Sequence, residues 1–277
     1  MQSSNPVLTR YEKTDKSGFA YDEGVSAYTQ AATGGASGAD VNAAFQQVTA
    51  AGGARLTIND VVVKAGLIFA VCVIFAVAGY QIVESAPWVM WAAMLAGLVL
   101  GFVNAAKKVP SPPLIILYAA IQGLFVGGIS NWYNAYASSN QYYGIVLQAV
   151  IATMTTFGVM LALYLTGVVK VTKRFQSIMI VALVSYLVLG VASLIAALFG
   201  VGGGWGFYGV TGIGLAICVI GVLLAAFFLL MDFEAIAQGI RRGAPERESW
   251  RMAFGLLVTL IWLYLEFLRL LAIFTRN

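Results

Sequence analysis

The feature that most constrains this chain is a series of separate apolar runs, each about twenty residues long. A hydrocarbon core about 30 Å thick requires about twenty residues of a helix that rises about 1.5 Å per residue. Hydrophobic residues make up 60% of the 277 positions and charged residues 10%, whereas soluble domains carry about 25% charged residues. The sequence therefore predicts an all-α polytopic membrane protein, with the lipid bilayer as its environment.

The apolar runs predict seven spans after a polar amino-terminal segment. We expect residues 1–54 to form a disordered cytoplasmic tail, because they have too little apolar surface to order a chain. Thr57 and Asp60 have the spacing of a capping box at the start of the first helix. The transmembrane domain, 55–277, is predicted to have spans at about 60–83, 87–106, 113–131, 143–168, 176–199, 211–232 and 251–274.

The basic residues predict the orientation of the spans. Lys and Arg occur in the connections after spans two, four and six, and the other connections contain neither. By the positive-inside rule the amino terminus is cytoplasmic and the carboxyl terminus lies outside. This distribution explains the net charge of +4 better than a nucleic-acid partner would. The Trp and Tyr residues of the Lys- and Arg-free connections are predicted to anchor the chain at the interface, and the stretch GVGGGWGFYGVTG to be a flexible connection.

Four charged residues lie in or at the edge of the predicted spans. Lys64 is expected to snorkel or to pair with Asp60, one turn away. A charge at mid-bilayer, such as Glu266, costs about 2.5 to 3.5 kcal/mol and usually faces a cavity or pathway. The alternative for Glu266 is a structural ion pair with Arg269, one turn further on. Asp232 ends span six, where it is either a solvated helix-end residue or part of a functional site.

Asp232 and Glu266 are predicted to lie in one polar region, because spans six and seven are consecutive and antiparallel. Two carboxylates in a site of low dielectric cannot easily both ionise, so protonation of one of them would make the pair a pH sensor. The chain has no His, the residue that usually senses pH near neutrality. No HExxH, P-loop or GxSxG motif is present, so we predict neither an enzyme nor a cofactor.

Three sequence motifs resemble one known family. The stretch LLMDFEAIAQGI resembles the sixth-helix motif of the transmembrane Bax inhibitor motif family, and LIWLYLEFLRLLAIF resembles its last helix. AAIQGLFVGGIS is similar to its glycine-bearing third helix, and the polar leader and the GAPERESW hairpin are similar to a bacterial branch. The resemblance implies seven helices, of which the last is enclosed by the other six.

The same resemblance implies a pH-sensitive passive calcium leak in the bacterial cytoplasmic membrane, gated by two carboxylates. Asp232 matches the first acid of the family pair, and Glu266 matches the second, as Glu where the family usually has Asp. The two carboxylates would also form a weak site for calcium or another cation. Two alternatives are a non-conducting regulator that binds other membrane proteins, for example in membrane proteolysis or the stress response, and a proton-coupled carrier.

Overall fold

The computed structural model describes residues 55–209 and 212–274, and within them seven long helices follow one another. In chain order the helices are α1 (Ile58–Ser85), α2 (Trp88–Ala106), α3 (Pro112–Ser139), α4 (Ile145–Leu165), α5 (Lys173–Leu198), α6 (Ile213–Arg241) and α7 (Glu248–Phe274). All seven are long and apolar enough to cross a membrane. The prediction of an all-α multi-pass membrane protein is therefore confirmed, whereas the predicted tail, 1–54, lies outside the described residues.

Helix α1 begins at the predicted capping box. The Thr57 hydroxyl accepts a hydrogen bond from the backbone N–H of Asp60 at 3.3 Å. The Asp60 carboxylate in turn accepts one from the backbone N–H of Thr57 at 2.9 Å. Two of the four N–H groups that a helix start leaves unpaired are thus satisfied by local sequence alone.

Helices α6 and α7 are the most buried of the seven. Helix α7 packs against α1, α3, α4 and α6, and Leu229, Leu230 and Leu263 are fully buried in the shared core. Because lipid tails are as apolar as Leu, close packing rather than the hydrophobic effect holds such helices together. Enclosure of α7 by all six other helices remains a prediction.

Small residues bring α1 and α3 into close contact, as the four-residue spacing of Gly123 and Gly127 predicts. A Cβ atom at Gly123 would overlap the backbone carbonyl of Cys72, and one at Gly127 would overlap that of Ala76. A third glycine, Gly79, meets the backbone of Leu124 in the same way. The two backbones approach so closely that only glycine fits at these positions.

Helix α6 is longer than predicted, which changes the position of Asp232. The helix continues to Arg241, nine residues or about 13 Å beyond Asp232. Glu234 stabilises this extension, because its carboxylate accepts hydrogen bonds from Tyr164 at 2.8 Å, Gln238 at 3.0 Å and Arg241 at 2.6 Å. The prediction that Asp232 ends the helix is therefore wrong, since it lies well inside α6.

Of the two alternatives for Lys64, snorkelling or a pair with Asp60, the pair is not the main contact. Its ammonium group donates to Glu246 at 2.8 Å and to the Ser249 hydroxyl at 2.7 Å, while Asp60 is engaged with Thr57. Glu246 belongs to the hairpin between α6 and α7, which lies far from Lys64 in sequence and therefore could not be matched to it by helical spacing. We call the end of the bundle that carries this hairpin the basic end, and the opposite end the aromatic end.

Candidate functional site

Glu266 is a buried carboxylate in the half of α7 nearer the aromatic end. Its exposed fraction is 2%. Its Oε1 atom accepts hydrogen bonds from the Tyr186 hydroxyl at 2.8 Å and from the Trp262 indole N–H at 3.1 Å. Trp262 lies one turn before Glu266 on α7, whereas Tyr186 comes from α5. Helices α5 and α7 thus jointly hold this carboxylate.

Arg269 completes the site as the ion-pair partner of Glu266. Its Nη1 atom lies 3.3 Å from Oε2 and 3.4 Å from Oε1 of Glu266. The guanidinium also lies over the ring of Tyr208, 4.3 Å from its centroid, which is a cation–π arrangement. The alternative that the sequence left open for Glu266, an ion pair with Arg269, is therefore present.

The α6 surface that faces Glu266 is a glycine. A Cβ atom at Gly221 would lie 2.8 Å from the Glu266 Oε2 and Cδ atoms and would overlap the Tyr186 hydroxyl. Contacts this short are not tolerated by real Cβ atoms, so the carboxylate occupies space that only glycine leaves open. Gly221 thereby determines the position along α6 against which Glu266 packs.

Asp232 lies in a different environment, between α6 and α7 and nearer the basic end. Its Oδ1 atom is 3.6 Å from the position of a Cβ on Gly255, and its carboxyl group lies beside the Thr259 hydroxyl. Its Oδ2 atom is buried and has no hydrogen-bond partner among the described residues. Buried polar oxygens are usually paired, so this carboxylate oxygen needs an explanation.

The structure does not bring Asp232 and Glu266 together. Gly221 faces Glu266 and Gly255 faces Asp232, so the two contacts are eleven residues apart along both antiparallel helices. At about 1.5 Å per residue, this separation is about 16 Å. The two carboxylates therefore occupy successive positions along the α6–α7 seam rather than one shared polar region.

Sequence reasoning missed Tyr186, Trp262 and Tyr208 as members of the site. Tyr186 could have been recognised from its position in the middle of an apolar helix, because a buried phenol hydroxyl needs a hydrogen-bond partner. Trp262 stands four residues before Glu266 and so shares its helix face. Tyr208 gave no such signal, because its contact with Arg269 depends on the folding of the connection between α5 and α6.

The described residues hold no cluster of three or more His, Cys, Asp or Glu side chains that could bind a metal ion. Calcium prefers six to eight oxygen ligands, and each carboxylate of the seam stands alone. Asp232 leaves one carboxylate oxygen unpaired, whereas Glu266 is neutralised by Arg269, so each position supplies few protein ligands for a cation.

Comparison with known proteins identifies the family. A search of curated protein sequences found no match. The family model described as Bax inhibitor 1 like matches residues 5–276, which is nearly the whole chain and includes the helices that carry Asp232, Glu266 and Arg269. The chain therefore belongs to the Bax inhibitor 1-like family.

Proposed function

We propose that this protein is a pH-sensitive passive leak for calcium or another cation, with Asp232 and Glu266 as two carboxylates in series along its pathway. The observation that carries the proposal is the buried, unpartnered Oδ2 atom of Asp232. An ionisable group within a membrane span is costly and usually lines an ion pathway. In this proposal the protein conducts a cation and is not an enzyme.

The two carboxylates have different roles in this proposal. Asp232 has an oxygen free to meet a cation, so it supplies the attraction at the centre of the pathway. Glu266 is neutralised by Arg269 and held by Tyr186 and Trp262, so it forms the closed part. Conduction requires binding weak enough for the ion to leave, which one carboxylate with a neighbouring hydroxyl provides.

Control by pH follows from the same two groups. Protonation of Asp232 removes the negative charge that attracts the cation, which lowers conduction. Protonation of Glu266 removes the charge that holds Arg269, which loosens the closed part. The proposed response to pH therefore depends on two separate carboxyl groups, in place of one pair that shares a proton.

The distribution of basic residues supports the orientation. The Lys- and Arg-bearing connections all lie at the basic end, which we place in the cytoplasm of a bacterial cell by the positive-inside rule. The amino terminus is then cytoplasmic and the carboxyl terminus outside. A cation from outside would meet Glu266 before Asp232.

Calcium flux into proteoliposomes over a series of pH values tests the proposal. We expect flux in the parent, a strong loss in Asp232→Asn, and an altered pH dependence in Glu266→Gln. The matched control is Glu234→Gln, because Glu234 lies on the same helix but in a cytoplasmic network with Tyr164 and Arg241. A parent without flux at any pH would refute conduction and favour a regulator that binds other membrane proteins. Flux that requires a proton gradient would favour a carrier.

A further inference from the structure

Residues 201–209, the described part of the connection between α5 and α6, are folded, whereas the sequence predicts a flexible connection. They contain two short 3-10 turns, Val201–Gly204 and Gly206–Gly209. Gly206 has a φ of 62°, and a Cβ atom there would overlap the carbonyl oxygen of Ser193 on α5. The backbone N–H of Phe207 donates to the Ser193 hydroxyl at 3.0 Å. These contacts fasten the connection to α5.

Trp205 fastens the same connection to α3. Its ring lies 5.1 Å from the ring of Trp132, 6.0 Å from that of Tyr133 and 5.1 Å from that of Tyr136, measured between centroids. Aromatic pairs at these separations stabilise each other beyond the area they bury. The prediction that Trp205 only anchors the chain in the interface therefore misses its packing within the bundle.

Tyr208 connects the segment to the Glu266 site. Its hydroxyl donates to the Tyr186 hydroxyl at 3.3 Å, and its ring lies beneath the Arg269 guanidinium. Its backbone also packs against Gly214 at the start of α6. The segment thus contacts α3, α5 and α6 directly, and reaches α7 through Arg269.

We propose that residues 201–208 form a lid that closes the aromatic end of the bundle over Glu266 and Arg269. When the lid is seated, Tyr208 holds Arg269 against Glu266, so the carboxylate is neutral to an approaching cation and shielded from solvent. When the lid lifts, Arg269 loses its cation–π contact with Tyr208 and keeps only the contact with Tyr133 of α3, so it can leave Glu266. The closure stands on the contacts described, while its role in controlling cation flux rests on the proposed function.

A native thiol reports on the lid. Cys218 is fully buried on α6, one turn before Gly221, and lies within electrostatic range of Glu266 and Arg269. The chain has two cysteines, so Cys72→Ala leaves Cys218 as the sole thiol. A lifted lid would admit a charged, membrane-impermeant thiol reagent to Cys218, whereas a seated lid would not.

The experiment compares two glycines of the connection in nanodiscs made with the full chain. Gly206→Ala forces a Cβ against Ser193, whereas Gly203→Ala has a similar φ of 69° and nothing within 4 Å of its Cβ. Gly206→Ala should increase the population of the state in which the lid is lifted. The rate of Cys218 labelling should therefore be at least about tenfold higher than in the parent. The parent and Gly203→Ala should label equally slowly.

A second pair of variants keeps the test decisive if Gly206→Ala does not fold. Tyr208→Ala removes the contact with Arg269, and Tyr143→Ala is its control, an aromatic residue of the same end that is 72% exposed. Only Tyr208→Ala should speed the labelling. Equal labelling in each variant and its control would overturn the lid.

Calcium flux measured on the same proteins separates the two proposals. Faster flux in Gly206→Ala and Tyr208→Ala, together with faster labelling, supports both. Faster labelling with flux unchanged from a conducting parent would leave the lid in place but overturn its control of flux. Faster labelling with no flux in any protein would refute the proposed function and leave the closure standing.

Discussion

Replacement of Arg269 by Gln should be strongly destabilising, because it leaves Glu266 as a buried charge without a counter-charge. Breaking a buried ion pair from one side costs about 3–5 kcal/mol. Glu266 would still accept hydrogen bonds from Tyr186 and Trp262, so we expect a loss near the lower end of this range, about 3 kcal/mol. Loss of the cation–π contact with Tyr208 adds about 1 kcal/mol.

The free energy of unfolding in mixed micelles at neutral pH measures this cost. The double variant Glu266→Gln with Arg269→Gln removes both charges and should be at least about 2 kcal/mol more stable than Arg269→Gln alone. The control is Arg241→Gln, which breaks an ion pair whose arginine is 60% exposed and should cost less than about 1 kcal/mol. Equal losses in Arg269→Gln and Arg241→Gln, or a double variant no more stable than Arg269→Gln, would refute the account of a buried pair.

Three further changes test other parts of the structure. Gly221→Ala should lower the free energy of unfolding by about 1–3 kcal/mol, because its Cβ overpacks against Glu266. The control Gly158→Ala has nothing within 4 Å of its Cβ and should leave the stability of the protein unchanged. Equal unfolding midpoints for the two variants would contradict the contact between Gly221 and Glu266. Asp232→Asn should raise the free energy of unfolding by about 1 kcal/mol or more while calcium flux falls, because a buried carboxylate oxygen without a partner is costly. A loss of stability would show that the contact of Asp232 with Thr259 outweighs that cost. Lys64→Gln should speed tryptic cleavage in the hairpin after α6 by releasing Glu246, and an exposed lysine of the same end, Lys170, provides the control variant; equal cleavage would show that the Lys64 contact does not hold the hairpin.

The sequence predicted what depends on local spacing. Runs of about twenty apolar residues predicted the seven spans, and the three-residue spacing of Thr57 and Asp60 predicted the cap of α1. The same spacing placed Arg269 within reach of Glu266 on one face of a helix. Each of these features is decided within one helix, where the geometry is known before the fold is.

The relation between Asp232 and Glu266 could not be predicted, because it depends on the register of two helices. A short antiparallel connection makes α6 and α7 neighbours, but it does not determine how far one helix is shifted along the other. The register is set by Gly221 against Glu266 and by the extension of α6 to Arg241. A helix that ended at residue 232 would have placed the first carboxylate at the surface, and the extension buries it instead.

The two carboxylates between α6 and α7 differ in their hydrogen-bond and charge partners, and this difference supports different roles for them. Glu266 has two neutral donors and a cation, so its burial is compensated and its removal would disturb structure as well as function. Asp232 has the Thr259 hydroxyl beside it but also a buried oxygen without a partner, so its burial is only partly compensated. Incomplete pairing of a buried polar group is expected at functional sites more than at structural ones. In the proposed leak, Glu266 with Arg269 and Tyr208 would close the aromatic end, and Asp232 would attract a cation that has passed it.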